Sequence, residues 1–171
     1  TYGGKKEDLG KSIDAFSDNS FLLTCETESF GRGKKDIWLL KIDSNGKTIW
    51  DNTFGGKKND IYGSTLIYPN NSIFISGQRP TKKKFSLRSF LTFNSNKNSS
   101  EPAIYTSFIT RLNGKGETVW EKDVFEDQKC ITPYMTILGK NILIAGQKST
   151  PFNGSGDAWV ISMNKKGEII W

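Results

Sequence analysis

Asp8 and Asp60 stand at matching places in two look-alike stretches, and Asp36 and Asp157 do so in another pair. Recurring carboxylates of this kind have two chemical uses. They can ligate calcium, or they can accept hydrogen bonds from backbone N–H groups at a chain corner. The dense D-x-D-x-D run of a calcium loop is missing, so the corner role is expected and no metal is. Cys25 and Cys130 lie far apart in no metal or redox spacing, which reads as two small buried hydrophobes. Histidine is absent. With it go the commonest general base, the commonest zinc ligand and every Ser–His or Cys–His nucleophile pair. No catalytic residue and no cofactor is expected on these grounds.

The other chemistry-bearing residues are cationic. Lysines are paired or tripled at Lys5 and Lys6, Lys34 and Lys35, Lys57 and Lys58, and Lys82, Lys83 and Lys84, in a chain of net charge +6. The last cluster opens "RPTKKKFSLRSFLTFNSNKNSSEPA" (79–103), where Phe85, Phe90 and Phe93 can anchor an apolar contact and Arg88 can join the lysines in meeting acidic groups. The same residues also read as solvated turns and a hairpin packed on its own neighbours. Glu7, Asp8, Asp36 and Asp60 dilute the basic charge. Base stacking needs aromatics interleaved with cations, which only 79–103 offers, so nucleic acid is not an expected partner.

Internal repetition shows what must hold these residues. "TYGGKKEDLGKSIDAFSDNSFLLTC" (1–25) aligns without a gap on "TFGGKKNDIYGSTLIYPNNSIFISG" (53–77), and "ILIAGQ" (142–147) matches "IFISGQ" (73–78). "DIWLLKIDSNGKTIW" (36–50) returns as "YTSFITRLNGKGETVW" (105–120) and "DAWVISMNKKGEIIW" (157–171). The units run roughly 1–52, 53–122 with an insertion at about 79–104, and 123–171. Each reads as four short strands rich in Val, Ile, Phe, Trp and Thr; in the first copy these are 9–16, 20–26, 36–43 and 47–54. Turn residues separate them, and no segment keeps a helical period or approaches the ~20 apolar residues of a membrane span. Gly46, Gly116 and Gly167 supply the positive φ of a tight turn between the third and fourth strands. Four residues later stand Trp50, Trp120 and Trp171, expected to pack between neighbouring units.

The expected fold is all-β: three four-stranded antiparallel repeats of the β-propeller blade type, part of a larger propeller. The pattern resembles the secreted and lipoprotein propeller repeats of bacteria, of the form TYGG…D…S…G…D-x-W-[LV]-[IV]-K-x-[DN]-x-x-G-x-x-x-W. "TYGGKKEDLGKS" and "DIWLLKIDSNGKTIW" carry almost all of it. "IDSNGKTIW" is also similar to the Asp-box of sialidase-type propellers and to the docking motif of quinone-dehydrogenase propellers, structural staples in both. The resemblance implies a secreted or bacterial cell-surface location and no particular activity. A sialidase needs clustered arginines, whereas Arg32, Arg79, Arg88 and Arg111 hold no equivalent repeat positions.

In a blade, the connections bearing Lys5, Lys6, Lys34, Lys35, Lys57, Lys58 and Lys82–Lys84 fall on one face with the insertion. The expected function is a non-enzymatic binding scaffold presenting that basic face to a protein or glycan. The alternatives are a glycosidase-like enzyme using Ser12, Asp14 and Ser64 in a central channel, and an architectural assembly module. Three blades do not close a ring. Flanking blades or a homodimer of two arcs are therefore expected as partners.

Overall fold

The computed structural model describes residues 1–80, 105–124, 129–149 and 156–171. The insertion residues Lys82, Lys83, Lys84, Phe85, Arg88, Phe90 and Phe93 lie outside them. The described chain is all-β, with eleven strands: β1 (Asp8–Ala15), β2 (Phe21–Thr27), β3 (Asp36–Ile42), β4 (Thr48–Phe54), β5 (Ile61–Ile67), β6 (Ile73–Pro80), β7 (Tyr105–Leu112), β8 (Thr118–Val124), β9 (Lys129–Leu138), β10 (Asn141–Ser149) and β11 (Gly156–Met163). They form three antiparallel sheets, β1-β2-β3-β4, β5-β6-β7-β8 and β9-β10-β11. Among the described residues no helix is long and apolar enough to cross a membrane.

The turns explain the strand ends. In each third-to-fourth-strand connection an Asx side chain accepts two backbone N–H groups. Asp43 Oδ1 takes those of Asn45 and Lys47 at 2.9 and 2.8 Å, Asn113 Oδ1 those of Lys115 and Glu117, and Asn164 Oδ1 those of Lys166 and Glu168. The glycine that follows crosses to the left-handed region, with φ of 79°, 80° and 79° at Gly46, Gly116 and Gly167. This Asx-turn chemistry stops β3 at Ile42, one residue short of the sequence expectation. The turn Phe16–Ser20 likewise ends β1 at Ala15, closed by a bond from Phe16 N to Ser20 O of 2.8 Å.

Beyond the turn, Trp50 pairs with Lys41 and Trp120 with Arg111, each just past a β-bulge. The third sheet repeats this start: Ser162 N–H donates to Trp171 O at 2.9 Å, and Met163 bridges Ile169. No fourth strand is completed there among the described residues, so the third unit departs from the expected four.

The sheets pack face to face in series. Phe16, Leu22, Ile37 and Leu39 of the first meet Ile73, Ile75, Phe108 and Leu112 of the second, flanked by Trp50, Phe54, Tyr62 and Ile67. Phe74, Ile109 and Val124 on the second sheet's other face meet Ile142, Ile144, Ile161 and Met163 of the third, with Trp120 alongside. The middle sheet is covered on both sides, which is why β6 is buried without alternation from Ile73 to Gln78. Burying Leu22 or Phe74 completely contributes about 1.5–3 kcal/mol each. No strand of the first sheet packs on a strand of the third among the described residues.

A polar clasp accompanies each apolar interface. The carbonyl of the turn glycine accepts a bond from a side chain belonging to the preceding strand run. Asn52 Nδ2 reaches Gly116 O at 3.0 Å, Lys122 Nζ reaches Gly167 O at 2.7 Å, and the Tyr2 hydroxyl donates to Gly46 O. Trp120 Nε1 adds a bond to Lys165 O at 3.0 Å in the next turn. Trp50 and Trp120 are half-buried at these junctions, whereas Trp171 is 63 % exposed.

Candidate functional site

The recurring aspartates build one end of the stack. Asp8 Oδ2 accepts Gly4 N–H at 2.8 Å and the Ser29 hydroxyl at 2.7 Å, and Asp8 also accepts the Thr27 hydroxyl. Asp60 Oδ2 takes Gly56 N–H at 2.7 Å, in the same spacing. Asp36 Oδ2 takes Arg32 and Gly33 N–H at 2.7 and 3.0 Å. Glycines let the Asp36 carboxylate sit this deep: a Cβ on Gly31 would lie 2.0 Å from Oδ2, and one on Gly55 1.9 Å from Oδ1. Asp157, its sequence counterpart, is exposed. The described residues hold no group of three or more acidic, Cys or His side chains arranged for a metal.

Environment separates the corner acids. Burial pushes the Asp60 carboxyl up, with the charge of Asp36 adding and Gly56 N–H opposing. At Asp8 burial also pushes up, but bonds from Thr27, Gly4 and Ser29 outweigh it and leave the carboxyl below its ordinary range.

These corners draw three connections together. Lys6 N–H donates to Ser29 Oγ at 2.9 Å and Glu28 N–H to Glu7 O, joining the run 3–7 to the loop 28–35. Asp60 N–H donates to Lys35 O at 2.8 Å, joining 28–35 to 55–60. The β6–β7 ladder stays in register to Pro80↔Tyr105, and the charge of Arg79 reaches Asp60. Both anchors of the insertion are thus at this end.

Lys5, Lys6, Arg32, Lys34, Lys57 and Lys58 are exposed here, and none of them is in an ion pair among the described residues. Lys35 differs: its Nζ binds Glu7 at 3.0 Å with Glu28 at 3.9 Å, and the Glu7 bond and charge raise its pKa. Arg79 is likewise held by Glu121 and Asp123.

The residues of the enzyme alternative lie on β1 and β5. Ser12 Oγ donates to Asp14 Oδ2 at 3.3 Å and accepts the Tyr62 hydroxyl at 3.0 Å. Burial pushes the Asp14 carboxyl up, with the Ser12 bond opposing. Ser64, the repeat counterpart of Ser12, instead shares a 2.9 Å hydroxyl contact with Ser76 inside its own sheet. Tyr62 escaped sequence reading because its counterpart is Gly10, so no repeat signal marks it.

The chain matches no protein-family model and no curated protein.

Proposed function

We propose that the three sheets are blades of a β-propeller array and that the chain is a non-enzymatic scaffold, secreted or on a bacterial surface. It binds acidic groups of a protein or glycan through its basic end. The blade reading is supported by the serial face-to-face packing and by the glycine-carbonyl clasp at successive junctions.

One observation carries the binding reading. Three connections converge, and their acids point into the corners to hold backbone N–H groups while Lys5, Lys6, Arg32, Lys34, Lys57 and Lys58 are exposed and, among the described residues, have no acidic partner. An end built this way attracts anions over a range set by salt screening.

The test uses immobilised poly-glutamate and a sulfated glycan as probes. The combined variant Lys34→Glu, Lys57→Glu, Lys58→Glu should bind at least ~10-fold more weakly at low salt, and wild-type binding should weaken as salt rises. Unchanged binding by that variant would rule this end out. Deleting 81–101 should leave the fold intact and reduce binding further.

A further inference from the structure

Asp36 uses only one of its carboxylate oxygens. Oδ2 accepts the Arg32 and Gly33 N–H groups, whereas Oδ1 is buried with no hydrogen-bond partner among the described residues, and the residue is 1 % exposed. Asp60, on the connection that meets it, is 3 % exposed, and its Oδ2 takes Gly56 N–H. Neither carboxylate is in an ion pair among the described residues. Buried charges are paired or coordinate metals, and a buried oxygen without a donor calls for a water or an ion. Asn59 Oδ1, one residue before Asp60, is a second buried oxygen with no hydrogen-bond partner among the described residues.

More oxygens stand around the same place, and glycines keep side chains out of it. A Cβ on Gly55 would lie 1.9 Å from Asp36 Oδ1 and 2.9 Å from Asp60 Oδ2, so the two carboxylates flank one glycine. A Cβ on Gly33 would lie 2.5 Å from Lys58 O, 2.6 Å from Gly56 O and 3.3 Å from Asp36 Oδ1. Asp36 Oδ1 therefore borders a carboxylate and two main-chain carbonyls of the connection 55–60. The donors are oxygens only, part carboxylate and part carbonyl. Calcium favours such a set, whereas magnesium demands a near-ideal octahedron and zinc favours nitrogen and sulfur. No dense acidic run marks the place in the sequence, because its donors come from two connections that meet only in the fold. Thr106 holds the position of Asp36 in the second unit, so the second junction lacks the pair.

We propose that Asp36, Asp60 and the carbonyls of Gly56 and Lys58 bind a calcium ion, which pins the connection 55–60 to the corner of the first sheet. Water completes the shell of about six to eight oxygens that calcium takes. The site stands whether or not the exposed lysines bind a partner.

Calorimetric titration of calcium chloride into the chelator-treated full chain, with a parallel thermal scan, tests it. One ion should bind per chain with a Kd of about 10⁻⁴–10⁻³ M, and a calcium concentration of about 10 mM should raise Tm by about 3–10 °C. Asp36→Asn and Asp60→Asn should each weaken binding at least ~10-fold, through loss of a ligand charge. Asp8→Asn should leave it unchanged, because the Asp8 carboxylate, the repeat counterpart of Asp60, is already bonded by Gly4, Thr27 and Ser29. Should Asp36→Asn fail to fold, Asp60→Asn decides alone. Absence of both binding heat and a rise in Tm would overturn the proposal. So would equal stabilisation by sodium chloride at the same ionic strength, or calcium affinity unchanged in Asp60→Asn. Chelator-treated protein is the baseline for every stability comparison at Asp36 and Asp60.

Discussion

The six-membered ring of Trp50 lies over Gly116: a Cβ on that glycine would sit 2.9 Å from Cζ3 and 3.0 Å from Cη2. Gly116 also has φ 80°. The turn of one unit and the indole of the unit before it are therefore a single device. Gly116→Ala should cost about 2–3 kcal/mol, from left-handed strain plus overpacking. Gly46 has the same φ, with only the Tyr2 hydroxyl oxygen at 3.1 Å, and Gly46→Ala should cost about 1 kcal/mol. Urea unfolding of both variants checks the difference; equal losses would mean that the ring makes no demand on the turn.

The two inner tryptophans differ in their polar edge. Trp120 Nε1 donates to Lys165 O, whereas Trp50 Nε1 is buried with no hydrogen-bond partner among the described residues. Trp120→Phe should therefore be more destabilising than Trp50→Phe by about 1 kcal/mol, the worth of one hydrogen bond. Denaturant midpoints of the pair decide it.

Asp36 and its glycines act as a unit. Asp36→Ala leaves the Arg32 and Gly33 N–H groups without their acceptor and should cost about 1–3 kcal/mol. Gly55→Ala drives a methyl into Oδ1 and should cost a similar amount. In the double variant the clash is gone, so its cost should fall short of the sum by more than ~0.5 kcal/mol in a double-mutant cycle. Additive costs would mean that the contact is not the reason for the glycine.

Asp60 sets a pH dependence whose sign follows from its burial. Its folded carboxyl titrates above the ordinary 3.8 of the unfolded chain. Between those two values the folded state holds the proton longer, so stability falls as pH rises through that window. Asp60→Asn removes this slope, and stability relative to wild type should increase from about pH 3.5 toward neutrality. Asp18 moves oppositely: bonds from Ser20 and Lys41 lower its carboxyl to about 2, so its contribution is present above 3.8 and lost as pH falls toward 2. Unfolding curves of the Asp60→Asn and Asp18→Asn variants across that range should diverge from wild type in these opposite senses.

Much of this architecture is legible in the chain because turns repeat by residue type. Gly46, Gly116 and Gly167 announce a backbone conformation that few other residues accept, and the Asp8 and Asp60 spacing from paired glycines announces a corner. The clasp is not legible. Its donors are Tyr2, Asn52 and Lys122, three chemically unlike residues that share only reach and a hydrogen to donate. The convergence of lysines follows from connections meeting in space, so adjacent charges in sequence read as a patch. Pairing of Lys35 with Glu7 depends on a contact between separate loops.

The serial packing of repeat units is tested most directly by the α-protons of Gly116. With the Trp50 ring stacked over them, they should resonate well upfield of the α-protons of Gly46 and Gly167 and show nuclear Overhauser contacts to the indole Hζ3 and Hη2. Gly116 shifts matching those of the other two turns, with no contact to the Trp50 ring, would contradict the stack.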